Sequence, residues 1–150
     1  MGKPTTTERV AVIDATGLIL GRMASHIAKR LLQGEKIIVV NAEKAAISGK
    51  RLSIVKEAKR YLEIGHPRKG PLHRRRPDRI VRRTVRGMLP RKKPKGKQAY
   101  KRLKVFLEVP EEFKGKEMQT IPNANAKKLR CPYITVGKLA KEIGWTPIGE

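Results

Sequence analysis

Apolar and polar positions follow two different periods along the first 65 residues. Residues 9–14 and 36–41 are short β-prone runs, and the second is a continuous apolar run of the kind that parallel sheets bury. Residues 20–33 and 50–63 instead repeat apolar side chains at helical spacing, and Gly34 is placed to end the first of these helices. The order strand, helix, strand, helix predicts an α/β fold with a parallel sheet. The residues expected to face the core from the second helix are Leu52, Val55, Ala58 and Leu62.

The pattern changes at residue 66. Residues 66–77 contain three prolines and a glycine, which excludes regular secondary structure there. Helical spacing returns between residues 79 and 89, and Asp78 is a suitable N-cap for this helix. Its apolar side is expected to consist of Ile80, Val81, Thr84, Val85, Met88 and Leu89.

Three further elements are expected after this helix. Residues 91–97 predict a flexible basic loop, because they combine five basic residues with a proline and a glycine. Residues 103–109 predict a strand by their alternation. Thr135 is expected to cap a short helix that continues to about Ile143, with Gly144 following it.

Net charge separates this chain from an ordinary α/β domain. Of its 150 residues, 36 are Lys or Arg and 13 are Asp or Glu, a formal charge of +23. Residues 66–104 hold 17 basic residues and a single acidic one, so their net charge is +16. We therefore predict a single domain over residues 1–150 with a basic insertion at about residues 66–104. Because so much like charge repels itself, a polyanionic partner is expected, with nucleic acid first and an anionic membrane second.

The predicted helix at residues 79–89 is amphipathic, and its polar face is made of arginine. Arg79, Arg82, Arg83 and Arg86 fall within about 100° of one another on a helix. This stripe lacks the acidic i,i+4 partners that a merely solvated helix would use. Phosphate would offset the repulsion, because guanidinium groups bind its oxygens through paired hydrogen bonds. The alternatives are a solvated charged face for the helix, and a nuclear-localisation signal or disordered tail for the basic run that follows.

The insertion therefore predicts an RNA interface. Aromatic residues make up only 4% of the chain and do not alternate with basic ones, which disfavours single strands stacked on aromatic platforms. Folded, helical RNA presents phosphates, 2′-hydroxyls and shape instead. The predicted RNA-binding residues are Arg68, Lys69, Arg74, Arg75, Arg76, Arg79, Arg82, Arg83, Arg86, Arg91, Lys92, Lys93, Lys95 and Lys97.

One segment has the position of a nucleotide-binding turn. Residues 14–22 follow a predicted strand and precede a predicted helix, where backbone N–H groups can bind an anion. They lack both glycine-rich nucleotide-binding motifs, so a tight strand–helix turn explains them better, although an RNA phosphate could still use the turn. A nucleotide-dependent enzyme using residues 14–22 is the alternative function, and an RNA-processing or DNA-compacting protein is a third.

Candidate catalytic and ligand-binding residues are few. His26, His66 and His73 lack metal-ligand spacing, and the acidic residues are scattered. Cys131 is the only cysteine, which excludes an intrachain disulfide and indicates a reducing, intracellular compartment. We predict no catalytic residue, no metal site, no cofactor and no small-molecule substrate. Residues 1–7 lack the apolar run of a signal peptide, and no run approaches about 18 apolar residues, so no transmembrane helix is expected. With nucleic acid as the favoured partner, we predict no membrane partner.

Several motifs resemble those of one protein family, and the resemblance runs over nearly the whole chain. Its most specific part is Val85-Arg-Gly-Met-Leu-Pro90, followed by Gly96-Lys97 and Leu103-Lys-Val-Phe106. Residues 12–17 and 40–44 also look like the family's first strand and turn and its second strand. The chain resembles the universal large-subunit ribosomal protein family conventionally numbered thirteen, in its archaeal or eukaryotic form.

This resemblance implies a three-layer α/β/α fold around a four-stranded, mainly parallel sheet. It also implies direct binding to large-subunit ribosomal RNA, a role in subunit assembly, neighbouring large-subunit proteins as partners, a cytoplasmic location and no catalysis. Within the motif, Gly87 and Met88 look structural, whereas Arg86 and the neighbouring arginines would face RNA. The sequence departs from the bacterial pattern at residues 66–77 and after about residue 110.

Overall fold

The computed structural model describes residues 9–148, which form a mixed α/β fold. The strands are β1 (Val10–Asp14), β2 (Lys36–Val40), β3 (Ala46–Ser48), β4 (Leu103–Val105) and β5 (Tyr133–Thr135). The helices are α1 (Leu20–Leu32), α2 (Arg51–Glu63), α3 (Pro77–Gly87), α4 (Pro94–Lys101) and α5 (Val136–Glu142). Single 3₁₀ turns lie at Ala42–Lys44, Glu111–Phe113, Pro122–Ala124 and Ala126–Lys128.

The predicted parallel sheet is present, but it has three strands. Its order is β1-β2-β4, and a separate antiparallel pair joins β3 to β5. The expected fourth strand is wrong: its place beside β1 is taken by one parallel bridge between Ile13 and Gln119. The chain leaves the sheet directly after this bridge, because Ala124 accepts a hydrogen bond from the Ile19 N–H (2.6 Å) over the amino end of α1.

The two faces of the parallel sheet are covered differently. On one face, Ile13, Ile37 and Leu103 share a core with α1, α3 and α4. On the other face, Val12, Ile38 and Val40 pack against the side chains of an irregular segment between residues 106 and 118. The second helical layer implied by the resemblance is therefore not confirmed over this face in the described part of the chain. The covering side chains are Phe106, Val109, Phe113 and Met118.

The basic insertion contributes to the main core. Val81, Val85 and Leu89 are buried in the same cluster as Met23 and Leu31 of α1. This explains why the segment folds despite its charge, since its apolar side chains leave water together with those of the sheet. Met88, predicted on the apolar side, is instead 44% exposed.

Two boundaries inside the insertion differ from the prediction. Residue 78 was expected to be the N-cap of α3, but the N-cap is Arg76 and the helix begins at Pro77. Proline is favoured at the first helical position, because its missing N–H has no helical partner there and its φ is already helical. Residues 91–97 are not wholly a loop, because Pro94 begins α4 in the same way.

The second predicted helix forms but packs more loosely than expected. Leu52 is 85% exposed, so the prediction that it faces the core is wrong. Val55, Ala58 and Leu62 are half-buried against a small cluster that includes Leu139 of α5. Helix α2 lies at the margin of this cluster, which also includes Ile47, Ile80 and Ile134, and none of its residues is fully buried.

The end of α1 and the start of α5 lie where the glycine and the capping threonine predict them. Gly34 ends α1 with a φ of +98°, and its N–H bonds the carbonyl oxygen of Leu31 at 3.1 Å. The Thr135 hydroxyl caps α5 by accepting a hydrogen bond from the Lys138 N–H at 3.3 Å. Strand β4 is shorter than predicted, because the chain departs at Phe106 to cover the opposite face of the sheet.

Among residues 9–148, no helix combines the length and the apolar character needed to cross a membrane. The prediction that residues 1–7 carry no signal-peptide core lies outside the described residues.

Two glycines of the family-like motif are predicted to respond oppositely to alanine. A Cβ at Gly96 would overlap the backbone carbonyl of Pro90, which cannot move without displacing the turn before α4. Gly96→Ala should therefore lower the free energy of unfolding by about 1–3 kcal/mol. At Gly87 a Cβ would meet no atom within 4 Å, so Gly87→Ala should be neutral or stabilising by up to about 1 kcal/mol. Urea unfolding of both variants is the test, and equal midpoints would contradict it.

The buried face of α3 predicts a second outcome. Val85 is fully buried, so Val85→Asp would place an unpaired carboxylate in an apolar core and should cost about 3 kcal/mol or more of unfolding free energy. Arg86→Asp is the matched control, because the Arg86 side chain, next to Val85 in the sequence, is exposed. Thermal and urea unfolding would show the difference. A Val85→Asp protein that unfolds like the wild type would mean that α3 is oriented differently.

Candidate nucleic-acid interface

The arginine stripe of α3 lies where the amphipathic pattern places it. Arg79, Arg82, Arg83 and Arg86 are all exposed, while Val85 on the other side is fully buried. Because the apolar side is fixed in the core, the four guanidinium groups are held on one outer face of a rigid helix. This arrangement differs from a flexible basic tail, in which the charges would have no fixed spacing.

The stripe forms one wall of a groove on the protein surface, which we call the arginine groove. Its cavity volume is about 340 Å³. Arg74 joins the stripe from the irregular segment before α3, and Tyr100 of α4 faces it. The residues that line the groove are Leu72, Arg74, Asp78, Arg79, Arg82, Arg83, Arg86, Tyr100 and Val105.

Two side chains outside α3 hold arginines of the groove in place. The guanidinium carbon of Arg82 lies 4.6 Å from the ring centroid of Tyr100, a cation–π contact. The Nη1 of Arg83 lies 3.1 Å from Nδ1 of His73, whose ring packs edge-on against Tyr61 at 5.6 Å between centroids. Sequence analysis did not assign His73 or Tyr100 to the interface. No local pattern marks them, because only the packing of α4 and the 66–76 segment against α3 brings them there.

Carboxylates neutralise little of this surface. In the part of the chain that the structure describes, Arg76 and Asp78 form the one ion pair within the insertion, at 3.3 Å. Asp78 also lines the arginine groove and is its single acidic residue. Five arginines therefore surround one carboxylate in the groove, and an added anion would relieve their mutual repulsion.

The other predicted site residues fall into three places. Arg91, Lys92, Lys93, Lys95 and Lys97 are exposed in the turn after α3 and on α4. The structure thus joins these five to the arginine stripe through consecutive elements of the insertion.

Arg68 and Lys69 are also exposed, and they lie in a tight turn closed by two hydrogen bonds between His66 and Gly70, both 2.9 Å. This turn lies in the same irregular segment that supplies Arg74 to the groove.

Arg75 and Arg76 are not brought into the arginine groove. The Arg75 guanidinium lies against Gly144, just after α5, and Arg76 lines a different cavity together with Glu43 and Trp145. Although consecutive, Arg74, Arg75 and Arg76 therefore lie at three different places on the surface.

The turn at residues 14–22 does not offer free backbone donors at its tip. The N–H groups of Thr16, Gly17, Leu18 and Ile19 already bond Asp14 Oδ1 and the carbonyl oxygens of Lys44, Ala15 and Ala124, at 2.6–3.1 Å. A nucleotide phosphate bound by a glycine-rich loop needs such groups unoccupied. The geometry is that of a tight strand–helix turn.

The Asp14 carboxylate adds a negative charge to this turn. Burial alone would raise its pKa, but hydrogen bonds from the Thr16 hydroxyl, the Thr16 N–H and the Asn41 amide, with the positive charge of Lys44, hold that pKa below its ordinary value. The group is therefore ionised at neutral pH and repels a nucleotide phosphate from the turn.

The described residues contain no group of three or more His, Cys, Asp or Glu side chains that could hold a metal ion. Cys131 is exposed and unpaired within the chain.

Comparisons with known proteins agree on one family. The family model described as ribosomal protein L13 matches residues 8–112. The large ribosomal subunit protein uL13 of Archaeoglobus fulgidus is 46% identical over 94% of this chain and 92% of its own length. The protein of the same name from Methanosarcina barkeri is 49% identical over 90% of this chain and 98% of its own length. The one from Sulfurisphaera tokodaii is 46% identical over 92% of this chain and 97% of its own length. The chain belongs to the ribosomal protein L13 family.

Proposed function

We propose that this protein is a structural component of the large ribosomal subunit that binds the subunit's RNA through the arginine groove and the adjoining basic turn. It is a binding protein and not an enzyme. The observation that carries this proposal is the exposed arginine stripe on a helix whose other face is fixed in the core. Family membership agrees with it, because the similar archaeal proteins are named as large-subunit components.

The arginine groove suits the backbone of folded RNA. Guanidinium groups bind phosphate oxygens through paired hydrogen bonds, and the order of the helix fixes their spacing before RNA arrives. Tyr100 and His73 strengthen this preorganisation, since each holds one arginine in place. A-form RNA exposes mainly phosphates and 2′-hydroxyls, so recognition of shape by fixed cations is the physical mode expected here.

We also propose that the chain acts as one domain with a basic insertion at residues 66–104. The shared core of α1, α3 and the sheet supports this view. The site residues proposed for RNA contact are Arg68, Lys69, Arg74, Arg79, Arg82, Arg83, Arg86, Arg91, Lys92, Lys93, Lys95 and Lys97, with Arg75 and Arg76 in separate positions. Neighbouring large-subunit proteins and a cytoplasmic ribosome follow from the same proposal.

The alternative function, a nucleotide-dependent enzyme using residues 14–22, has less support. The occupied N–H groups of the turn and the charged Asp14 both act against a bound nucleotide phosphate.

Removing the stripe should weaken RNA binding without unfolding the protein. Replacing Arg79, Arg82 and Arg83 together by Ala removes three exposed cations and leaves Val81 and Val85 in the core. Each lost phosphate contact should reduce affinity for large-subunit RNA and flatten the salt dependence by about one unit of slope. A filter-binding titration measures the affinity, and a melting curve checks the fold. A control with Lys36, Lys114 and Lys138 replaced by Ala has the same net charge. Unchanged affinity in the arginine variant would exclude α3 as a principal contact.

The proposal as a whole is tested by RNA affinity measured against salt with duplex DNA as competitor. If about 8 phosphates are neutralised, the logarithm of the affinity should fall against the logarithm of the salt concentration with a slope of roughly −6 to −7. Large-subunit RNA should remain preferred over duplex DNA, because the fixed cations match A-form geometry. Equal affinity for the two nucleic acids would leave a non-specific polycation and count against a specific assembly role.

A further inference from the structure

Basic residues outside the insertion gather at a second place, beside β1 at the edge of the parallel sheet away from β4. Four exposed residues, which we call the turn patch, form this group: Arg22, Lys44, Lys127 and Lys128. They come from three segments that are distant in sequence, and hydrogen bonds of the tight turn at residues 15–19 join these segments.

The joining contacts are short and direct. The Gly17 N–H donates to the Lys44 carbonyl oxygen at 3.1 Å, and the Gly17 carbonyl oxygen accepts from the Ala126 N–H at 2.8 Å. Lys44 and Ala126 are therefore both bonded to Gly17, which joins their two backbone segments at one turn. The Arg22 guanidinium reaches the Asn123 carbonyl oxygen at 3.4 Å.

The backbone that carries Lys127 and Lys128 is firmly held. Ala126 is buried in a small cluster with Ile19 and Ala46. The Asn125 side chain accepts a hydrogen bond from the Lys127 N–H at 2.9 Å, which fixes the 3₁₀ turn that presents both lysines. The backbone of this part of the patch is therefore fixed and is not part of a loose loop.

The charges of the turn patch are nearly uncompensated. Within residues 9–148, none of its four cations has a carboxylate within 4.0 Å. Asp14 lies in the turn beside Lys44, and its negative charge offsets part of the patch. Four cations therefore face one carboxylate, which leaves a net charge of +3. None of the four residues of the turn patch is aromatic, so the patch suits phosphates rather than stacked bases.

We propose that the turn patch is a second RNA-contact surface that binds the phosphate backbone of a further segment of the same RNA. The proposal rests on the proposed function, because it takes large-subunit RNA as the partner. Residues 127 and 128 lie outside the segment that the family model matches, so the family match does not assign them a role. Two surfaces on one rigid domain would hold two RNA segments in a fixed relation.

A pair of charge reversals tests the patch. Lys127→Glu with Lys128→Glu should lower the affinity for purified large-subunit RNA about tenfold, and flatten the log–log salt slope by about 1.5. The matched control is Lys114→Glu with Lys138→Glu, two exposed lysines outside both surfaces. Both variants change the net charge from +23 to +19, so a general loss of charge affects them equally. Equal weakening of the two variants would overturn the proposal.

The single cysteine provides an independent test of position. Cys131 is exposed and lies three residues after Lys128, so an iron chelate attached to it places hydroxyl-radical cleavage next to the turn patch. Strong cleavage of bound large-subunit RNA is expected from this site. A second tether, Gln98→Cys on α4 in a Cys131→Ser background, should cut the RNA at different positions. A tether at Lys114→Cys in the same background should give little cleavage. Cleavage from Cys131 no stronger than from residue 114 would overturn the proposal.

The two proposals can fail separately. If the arginine triple variant loses affinity while the Lys127 and Lys128 variant matches its control, RNA binding stands and the second surface does not. If neither variant loses affinity, the proposed function itself is wrong.

Discussion

The packing of α3 against α1 is the contact on which the proposed RNA-binding surface depends. It places Val81, Val85 and Leu89 in the main core and thereby fixes which side of α3 is left outside. The four arginine pairs along the stripe, at i,i+3 and i,i+4, each cost about 0.2–0.5 kcal/mol through like-charge repulsion. Each fully buried Val or Leu contributes about 1.5–3 kcal/mol, so three buried side chains outweigh the repulsion. The core can therefore hold the cations together before RNA is present.

Burial of apolar side chains also explains why the insertion is folded and is not a basic tail. Residues 66–104 carry a net charge of +16, which alone would favour an extended, solvated chain. Buried Ala99 and Leu103 bring the segment back to the sheet, where β4 pairs in parallel with β2. Between α3 and the sheet, Gly96 permits α4 to approach the Pro90 carbonyl closely. In the family-like motif Val85–Pro90 and Gly96-Lys97, Val85, Leu89 and Gly96 are therefore the buried packing positions, whereas the other members, Arg86 among them, are exposed.

Sequence patterns predicted the elements that have one clear apolar face and missed contacts that only tertiary packing creates. Helix α1 and the stripe of α3 follow from periodicity alone, because one clear face is apolar. Leu52 was misplaced because the cluster that covers α2, which includes Leu139 of α5 some 85 residues later, stops short of that position. Tyr100, which lines the arginine groove, and His73, which contacts Arg83, were absent from the predicted site because only tertiary packing brings them there.

The exposed acidic residues make the charge distribution of the molecule uneven, which the net charge alone does not reveal. Residues 107–118, which cover the opposite face of the sheet from α1 and α3, hold four exposed glutamates and two exposed lysines, a net charge of −2. The glutamates are Glu108, Glu111, Glu112 and Glu117, and the lysines are Lys114 and Lys116. A protein with a uniform +23 could approach RNA in any orientation. Because the insertion carries +16 and this segment −2, a polyanion is attracted more strongly to the α3 side, which favours one orientation on approach. The irregular segment over the sheet thus does two things at once: its Phe113 is buried against the sheet, and its glutamates lower the positive charge of that face.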